Sequence, residues 1–185
     1  MKTRTLMVCS HPDDETIFGY TALTDPNRAC HVICCTNSDH PRRLLEFKNV
    51  MQNCYAGFGH TWEMWDFKDE WDGGFPEVAG YAILKVFNEG NFDEVLTHNE
   101  SGDYGHRQHV ALHKLVWAAT RGKMKVFGKA GKCTLSFEQL QHKLQTLDCY
   151  KSQTDLNGFD WKDEKDPENT MMNWICNEHH QEYRF

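Results

Sequence analysis

The sequence predicts a single α/β domain whose mostly parallel sheet carries helices on both faces. Short apolar segments rich in strand-forming residues alternate with longer segments of helical periodicity. The strand segments recur about every 30 residues, which is the length of a right-handed βαβ unit. Because 185 residues is an ordinary length for one domain, we expect residues 1–185 to fold as one unit.

The first part of the chain contains two predicted strands and two predicted helices in alternation. Residues 3–10 (TRTLMVCS) and 30–36 (CHVICCT) are short and largely apolar, which is typical of buried strands. Residues 12–23 place apolar side chains at spacings that line one face of a helix. Residues 42–58 repeat this helical spacing and end at a pair of glycines, where a helix is expected to stop.

A third and a fourth strand follow, each with a helix after it. Residues 61–67 resemble a strand more weakly than the first two segments do, and residues 92–97 are predicted as a short strand. Residues 77–88 and 106–119 both carry apolar side chains at helical spacing. Strand and helix therefore continue to alternate, as a parallel sheet requires.

The last third of the chain is less regular. Residues 123–127 and 133–137 are predicted as short strands, and residues 138–150 as a helix. Residues 158–169 contain five acidic residues and a proline, which favours a surface loop.

Charge and hydropathy argue against two classes of partner. Lys and Arg number 20 and Asp and Glu number 27, and the resulting charge of −7 argues against nucleic-acid binding. The mean hydropathy of −0.70 argues against a membrane protein, as does the absence of any apolar run of about 18 residues. Lys2 and Arg4 precede only a short apolar stretch before Asp13, so we expect no export signal and a cytoplasmic location.

The eight cysteines are predicted to be reduced and mostly structural. They include no CxxC pair of the zinc-ribbon or thioredoxin type. Several follow apolar residues in the predicted strands, where a thiol packs as a small hydrophobic group.

Metal-ligand residue types are concentrated after two of the predicted strands. Residues 11–15 (HPDDE) follow the first strand, and residues 99–109 (NESGDYGHRQH) follow the strand at 92–97. Ligands of an open α/β sheet bind outside the carboxyl ends of its strands. Two histidines and one carboxylate suit Zn²⁺ or Fe²⁺ and leave a coordination position open for catalysis. Pro12 restricts the turn that carries the first motif.

These two motifs resemble the LmbE/PIG-L family of zinc-dependent N-acetylglucosaminyl deacetylases, and the resemblance spans most of the chain. HPDDE at a strand end is a highly specific signal, and the YGHxxH stretch is its partner. The weaker matches, which fall in the family's order, are residues 43–46 (RLLE), 58–59 (FG), 72–73 (DG), 143–153 (KLQTLDCYKSQ) and 182–185 (EYRF). The resemblance implies a Rossmann-like fold.

The resemblance assigns the metal centre by position. It implies that His11, Asp14 and His109 bind the zinc and that Asp13 is the general base beside it. Such a metal makes water nucleophilic at neutral pH, and a carboxylate next to it accepts the remaining proton. The implied cofactor is therefore Zn²⁺, with Fe²⁺ as the alternative that the same donors accept.

The resemblance also implies a role for four further residues. His106 is the implied electrophile or general acid, and Tyr104 is implied to help stabilise the tetrahedral intermediate. Arg43 and Asp72 match positions that contact the sugar. His106 and His109 are three residues apart, so on a helix both project from one face.

One departure from the family pattern lies between the two histidines. The family commonly has His-Pro-Asp-His where this chain has residues 106–109 (HRQH). The missing aspartate, replaced by Gln108, is expected to alter the orientation and pKa of His106, and Arg107 is available for an anionic part of the substrate.

Several residues have a structural alternative. His109 and His113 are four apart, as in helical zinc sites, but no glutamate lies between them in the usual place. Asp103 suits a helix cap, Tyr104 suits packing on its loop, and Glu15 suits the first turn of a helix.

We expect the substrate to be a small-molecule N-acetylated sugar, of the N-acetylglucosamine type and possibly a nucleotide sugar. The alternatives are a hydrolase of the same fold that acts on a different amide, and a non-catalytic metal or carbohydrate-binding module. The intact Asp13 argues against the binding module, because a pure binding site needs no base. A homo-oligomer is compatible with the sequence.

Overall fold

The computed structural model describes residues 1–129, 134–154 and 171–182. Six strands form one sheet in the order β3-β2-β1-β4-β5-β6. The strands are β1 (Thr3–Cys9), β2 (Arg28–Thr36), β3 (Thr61–Phe67), β4 (Glu94–Thr97), β5 (Lys125–Lys129) and β6 (Glu178–Glu182). The α-helices are α1 (Asp14–Thr24), α2 (Pro41–Asn49), α3 (Glu77–Gly90), α4 (Arg107–Thr120), α5 (Phe137–Leu147), α6 (Lys151–Thr154) and α7 (Met171–Cys176).

The first five strands are parallel, and β6 pairs antiparallel with β5. Val8 of β1 lies beside Ile33 of β2 on one side and Thr97 of β4 on the other. The carboxyl ends of these three strands therefore lie at one edge of the sheet. The prediction of a mostly parallel α/β sheet is confirmed.

Both faces of the sheet are buried. Met7 and Cys9 of β1 pack into one apolar cluster, whereas Leu6 and Val8 pack into the other. Side chains that alternate between two cores explain why β1 has an unbroken apolar sequence.

The predicted helix at 42–58 is only partly correct. Helix α2 ends at Asn49, and a π-helical turn (Val50–Cys54) and a 3₁₀ turn (Ala56–Phe58) complete the segment. The N–H of Tyr55 donates to the carbonyl of Val50, five residues back, at 3.2 Å. Apolar spacing alone does not separate these helical types, because a π turn changes the period only locally.

The predicted strand at 133–137 is wrong over its described part. Ser136 caps α5, and its side chain and that of Gln139 form a reciprocal capping box. The predicted helix at 138–150 corresponds to α5, which ends at Leu147, three residues before the predicted end. Helix α6 begins at Lys151, beyond the predicted range. Cys133, the acidic segment at 158–169 and residues 183–185 lie outside the described residues.

The structure also describes most of the cysteines and the apolar character of the helices. The seven described cysteines are free thiols, and four of them are buried in the core. Among the described residues, no helix has both the length and the apolar character needed to cross a bilayer.

Candidate functional site

The two histidine-rich segments meet at the carboxyl ends of β1 and β4. These strands are neighbours in the sheet, although β2 and β3 intervene in the sequence. The chain order reverses at β1, which makes this edge a topological switch point, the usual place for a ligand in an open α/β sheet.

The turn after β1 holds Asp13 in an unusual backbone conformation. Asp13 has φ 112°, in the left-handed region that non-glycine residues rarely adopt. Its N–H donates to Oε2 of Glu15 at 3.0 Å, and Glu15 Oε1 accepts from the hydroxyl of Tyr150 at 2.7 Å. Such a conformation costs about 1–3 kcal/mol and persists where surrounding contacts enforce it. The buried Glu15 is the contact that enforces it here.

Three donor atoms from the two segments form a compact triangle. His11 Nδ1 lies 3.1 Å from His109 Nε2 and 3.4 Å from Asp14 Oδ2, and the third side, from His109 Nε2 to Asp14 Oδ2, is 3.5 Å. Tetrahedral zinc with bonds of about 2.0–2.1 Å separates its ligands by about 3.3–3.4 Å. The triangle therefore fits such an ion, with the fourth position open.

Hydrogen bonds orient both imidazoles for metal binding. His11 Nε2 lies 2.9 Å from the carboxamide oxygen of Gln108, which accepts its proton, so the Nδ1 lone pair faces the triangle. His109 Nδ1 lies 2.9 Å from Asp103 Oδ2 and donates to it, so the Nε2 lone pair faces the triangle. This outer support is typical of metal-binding histidines.

The two imidazoles of the triangle differ widely in pKa. Burial lowers the pKa of His11, but Asp14 and Asp69 outweigh burial and raise it to about 10. Burial and the neighbouring His98 lower the pKa of His109 to about 4. His11 therefore carries the proton that a divalent cation would displace.

His98 belongs to a second cluster, with Asp14 and His109, that is also compact enough for a metal. However, the N–H of Ser10 donates to His98 Nε2 at 3.0 Å, and His98 Nδ1 lies 2.5 Å from Asp103 Oδ2. Burial lowers the pKa of His98, whereas Asp103 and Asp14 raise it, to about 9 overall. The N–H of Ser10 is directed at Nε2, so the lone pair of this nitrogen is not available to a metal. With both nitrogens engaged, His98 supports the site and is not assigned as a ligand.

His106 is the N-cap of α4 and is not part of the helix. Its Nδ1 accepts the N–H of Gln108 at 3.2 Å, so its proton resides on Nε2. Although His106 clusters with His11 and His109, a protonated Nε2 cannot ligate a metal. Burial, with smaller contributions from the neighbouring His109 and His11, lowers the pKa of His106 to about 4, which leaves a neutral hydrogen-bond donor.

A pocket of about 240 Å³ opens beside the triangle. Its lining residues are His11, Asp13, Asp14, Ile17, Arg43, Asp69, Trp71, Tyr104, His106 and Gln153. Burial raises the pKa of Asp13 to about 8, against the opposing charges of Arg43 and His11. A nearby divalent cation would lower this pKa. Burial likewise keeps the hydroxyl of Tyr104 protonated by raising its pKa well above the usual value.

Arg43 supplies a positive charge to the pocket wall. Its Nη2 donates to the carbonyl of Pro12 at 2.9 Å, and the residue is 5% exposed. Its buried Nε has no hydrogen-bond partner among the described residues.

The structure brings seven of the eight predicted site residues together and leaves one apart. Asp72 is absent from the pocket lining; its exposed carboxylate pairs with Nη1 of Arg107 at 3.1 Å. Asp69 occupies the pocket wall instead, 3.3 Å from His11 Nε2. His113 directs Nδ1 to the carbonyl of His98 at 2.9 Å, and no described metal-ligand cluster includes it.

Sequence reasoning missed three residues that lie at this site: Asp69, His98 and the side chain of Gln108. His98 directly follows β4, and Asp69 is the second residue after β3, so both lie at carboxyl ends of strands, where ligands of such a sheet bind. Gln108 carries no such signal, because it is neither a metal ligand nor a titratable group. Trp71 belongs to a group of aromatic residues near Asp72 in the sequence, for which sugar stacking and core packing are equally good expectations, and the structure places it in the pocket lining.

Comparisons with known proteins give a family match. A family model described as PIG-L, GlcNAc-PI de-N-acetylase, matches residues 6–120. An uncharacterised protein of Acanthamoeba polyphaga mimivirus is 33% identical over 137 residues, covering 63% of this chain and 57% of its own. An N-acetylglucosaminyl-phosphatidylinositol de-N-acetylase from Bos taurus is 29% identical over 127 residues, covering 62% and 49% respectively. The chain thus spans about half the length of these curated relatives.

Solved structures share the fold at low sequence identity. An N,N'-diacetylchitobiose deacetylase from Pyrococcus horikoshii has a TM-score of 0.59 at 14% identity, covering 98% of this chain and 83% of its own. A 4-carboxy-2-hydroxymuconate hydratase from Pseudomonas putida has a TM-score of 0.60 at 14% identity, covering 98% and 95% respectively. Because these two proteins have different activities, this likeness supports the fold alone.

Proposed function

The chain belongs to the PIG-L family, and from that premise we propose that it is a metal-dependent hydrolase that removes the acetyl group from an N-acetylglucosamine-type sugar. The observation that carries this proposal is the donor triangle of His11, Asp14 and His109 beside the buried carboxylate of Asp13. We further propose that residues 1–185 act as one deacetylase domain.

The donor set suits Zn²⁺, with Fe²⁺ as the alternative. Two imidazoles and one carboxylate bind either ion. When bound, the metal supplies a Lewis acid and lowers the pKa of water, so that water becomes a nucleophile near neutral pH.

Asp13 is the proposed general base. Its carboxylate lines the pocket next to the proposed ligand Asp14 and is itself not part of the triangle. A base in this place accepts the proton of the attacking water and returns it to the departing nitrogen. The left-handed backbone at Asp13 is consistent with a residue that is held in position for function.

His106 and Tyr104 are the proposed donors to the reacting carbonyl oxygen. Both line the pocket, and both are neutral groups that carry a proton. Donors that are already oriented stabilise the oxygen as its negative charge develops. The neutral His106 acts as an electrophile in this scheme, and delivery of the proton to the amine falls to Asp13.

Arg43, Asp69 and Trp71 form the proposed sugar-binding wall. Arg43 offers its positive charge on the pocket wall, and the half-exposed Asp69 offers carboxylate oxygens to sugar hydroxyls. Trp71 is 60% exposed, and an exposed indole on a pocket wall offers an apolar face to a sugar ring. Asp69 takes the place in this scheme that the family pattern gives to Asp72.

Release of free amine from a panel of N-acetylated sugars, including UDP-N-acetylglucosamine, tests the proposal. The wild type, Asp13→Asn and a chelated wild-type sample are compared, and the bound metal of each is measured. We expect amine release by the wild type alone, with the metal retained by Asp13→Asn. Asparagine has nearly the size of aspartate, so we expect the neighbouring ligands to keep their positions. If the measured metal content is unchanged, metal loss does not explain the inactivity.

The remaining outcomes favour the alternatives. Bound metal without amine release from any sugar would contradict the sugar substrate, and a panel of non-sugar amides would then identify a different hydrolase. Full activity of Asp13→Asn would contradict the assignment of the base. Bound metal with no hydrolysis of any amide would favour the binding module.

A further inference from the structure

Gln108 occupies the position where the family commonly has aspartate, and its side chain is fully buried between α4 and the loop after β3. Its carboxamide makes three polar contacts. The oxygen lies 2.9 Å from His11 Nε2 and accepts the N–H of Glu70 at 3.3 Å. The nitrogen donates to the carbonyl of Lys68 at 2.6 Å.

We propose that Gln108 is a positioning residue that joins the metal centre to the sugar-binding wall. By accepting from His11 Nε2, it holds the ligand nitrogen Nδ1 toward His109 and Asp14. By binding the backbone on both sides of Asp69, it holds the loop that carries Asp69 and continues to Trp71. The inference rests on the proposed function for the role of the metal centre and the sugar-binding wall in a reaction. The contacts of Gln108 do not depend on that function.

The chemistry of a carboxamide accounts for glutamine at this position. The side chain must accept from an imidazole and from one backbone N–H while it donates to a backbone carbonyl. Aspartate, the residue common in the family, has no donor for the carbonyl of Lys68 and is shorter by one methylene. Glutamate keeps the length but faces that carbonyl with a second acceptor.

Glutamine in place of the family's aspartate therefore affects His11 and not His106. His106 is oriented by the backbone N–H of Gln108, a group that any residue except proline supplies at this position. The side chain at 108 acts on His11. Glutamine in place of aspartate thus changes the support of a metal ligand and of the pocket wall.

Among the described residues, Asp69 is the one other polar partner of His11 Nε2 besides Gln108. Its Oδ1 lies 3.3 Å from His11 Nε2, and its Oδ2 accepts from the side chain of Asn37 at 2.9 Å. Asn37→Ala removes this tether of Asp69 but leaves Gln108 in place. It is therefore the matched variant that separates the two supports.

Two measurements on the full chain test the inference without reference to activity. The first is the Zn²⁺ dissociation constant, by competition with a chelator. The second is amide hydrogen exchange in residues 68–70. We compare wild type, Gln108→Leu, Gln108→Glu and Asn37→Ala. Thr120→Val, a buried change on the same helix that removes one intrahelical hydroxyl contact, is the control.

Gln108→Leu is expected to weaken Zn²⁺ binding by roughly 10- to 100-fold. It is also expected to speed exchange at Glu70 by about fivefold or more, because that N–H loses its acceptor. Gln108→Glu keeps an acceptor for His11, so we expect Zn²⁺ affinity within about threefold of wild type but faster exchange in residues 68–70. Asn37→Ala and Thr120→Val are expected to bind Zn²⁺ within about twofold of wild type.

Wild-type Zn²⁺ affinity in Gln108→Leu would overturn the inference, as would unchanged exchange at Glu70. If Gln108→Leu does not fold, Gln108→Glu decides, since slow exchange in residues 68–70 of that variant would contradict the anchoring role. A protein that deacetylates no sugar but shows the expected losses would refute the proposed function and leave this inference intact.

Discussion

The Oδ2 atom of Asp103 accepts from two imidazoles at once, lying 2.9 Å from Nδ1 of His109 and 2.5 Å from Nδ1 of His98. The nearby Asn99 donates its N–H to the other carboxylate oxygen, Asp103 Oδ1, at 3.3 Å, and its side chain accepts the backbone N–H of Asp103 at 2.9 Å. His98 in turn receives the N–H of Ser10, which precedes the other histidine motif. The two metal motifs are thus joined behind the donor triangle by one buried carboxylate.

Asp103→Asn should weaken metal binding without unfolding the chain. The amide keeps the shape of the side chain but removes the negative charge that supports the imidazole of His109. We expect the Zn²⁺ dissociation constant to rise roughly 10- to 100-fold. Glu94→Gln removes the same charge at the opposite end of β4, and it should leave the dissociation constant unchanged. Equal affinities of the two variants would show that Asp103 does not support the metal ligand.

Trp71→Ala should weaken sugar binding more than it slows the reaction. The indole lines the pocket with its ring 4.3 Å from that of His106. Loss of one aromatic contact of about 0.5–1.5 kcal/mol corresponds to a rise in KM of roughly two- to tenfold. Trp71→Phe should restore much of the affinity, and Trp117→Ala on the far part of α4 is the control. A fall in kcat at constant KM would instead indicate that Trp71 acts through His106.

Arg43→Lys should raise KM roughly tenfold, although it preserves the charge. The guanidinium lines the pocket and donates from Nη2 to the carbonyl of Pro12, whereas an ammonium cannot keep this forked geometry. Steady-state kinetics on the best sugar of the panel provide the measurement. Arg42→Lys, the exposed neighbour, should have wild-type kinetics. An unchanged KM for Arg43→Lys would exclude a contact between Arg43 and the substrate.

The fold was predictable because it depends on local patterns, and the members of the donor triangle were predictable from the family resemblance of the two motifs. Apolar strands at regular spacing define a parallel sheet, and the ends of parallel strands lie at one edge. His11, Asp14 and His109 therefore had to lie near each other once β1 and β4 were neighbours. The π turn at Val50–Cys54 was not predictable, since its hydrogen-bond shift leaves the apolar pattern almost unchanged.

The outer part of the site was not predictable because it depends on tertiary contacts. Gln108 is a polar residue on an amphipathic helix, and only the approach of the β3 loop gives its carboxamide three partners. Asp69 and Asp72 lie three residues apart in one loop, and the sequence does not show which of them turns toward the pocket. The family pattern selects Asp72, whereas the structure places Asp69 on the pocket wall.

A buried ion pair on the far side of α1 gives the prediction for stability. Lys143 Nζ lies 2.9 Å from Oε2 of Glu178 and also donates to the carbonyls of Ile17 and Ile175. Thr21 donates its N–H and hydroxyl to the other carboxylate oxygen. The pair thereby joins α5, α1 and β6. Glu178→Gln leaves an uncompensated buried ammonium, so we expect a loss of about 3–5 kcal/mol in the free energy of unfolding at pH 7.

The pH dependence of the same measurement follows from the pKa of Glu178. Burial alone raises this pKa, but the Lys143 ammonium and His180 outweigh burial and lower it below 4.5. Stability from the carboxylate is therefore complete above pH 4.5 and is lost as the pH falls through the pKa of the folded protein. Urea unfolding from pH 7 to pH 3 should show a smaller decrease in the free energy of unfolding at acid pH in Glu178→Gln than in the wild type.

The double variant Lys143→Met/Glu178→Gln should be more stable than the sum of the single changes predicts, by about 1 kcal/mol or more. Strict additivity would mean that the two charges do not stabilise each other, and the loss in Glu178→Gln would then be due to the contacts of Thr21.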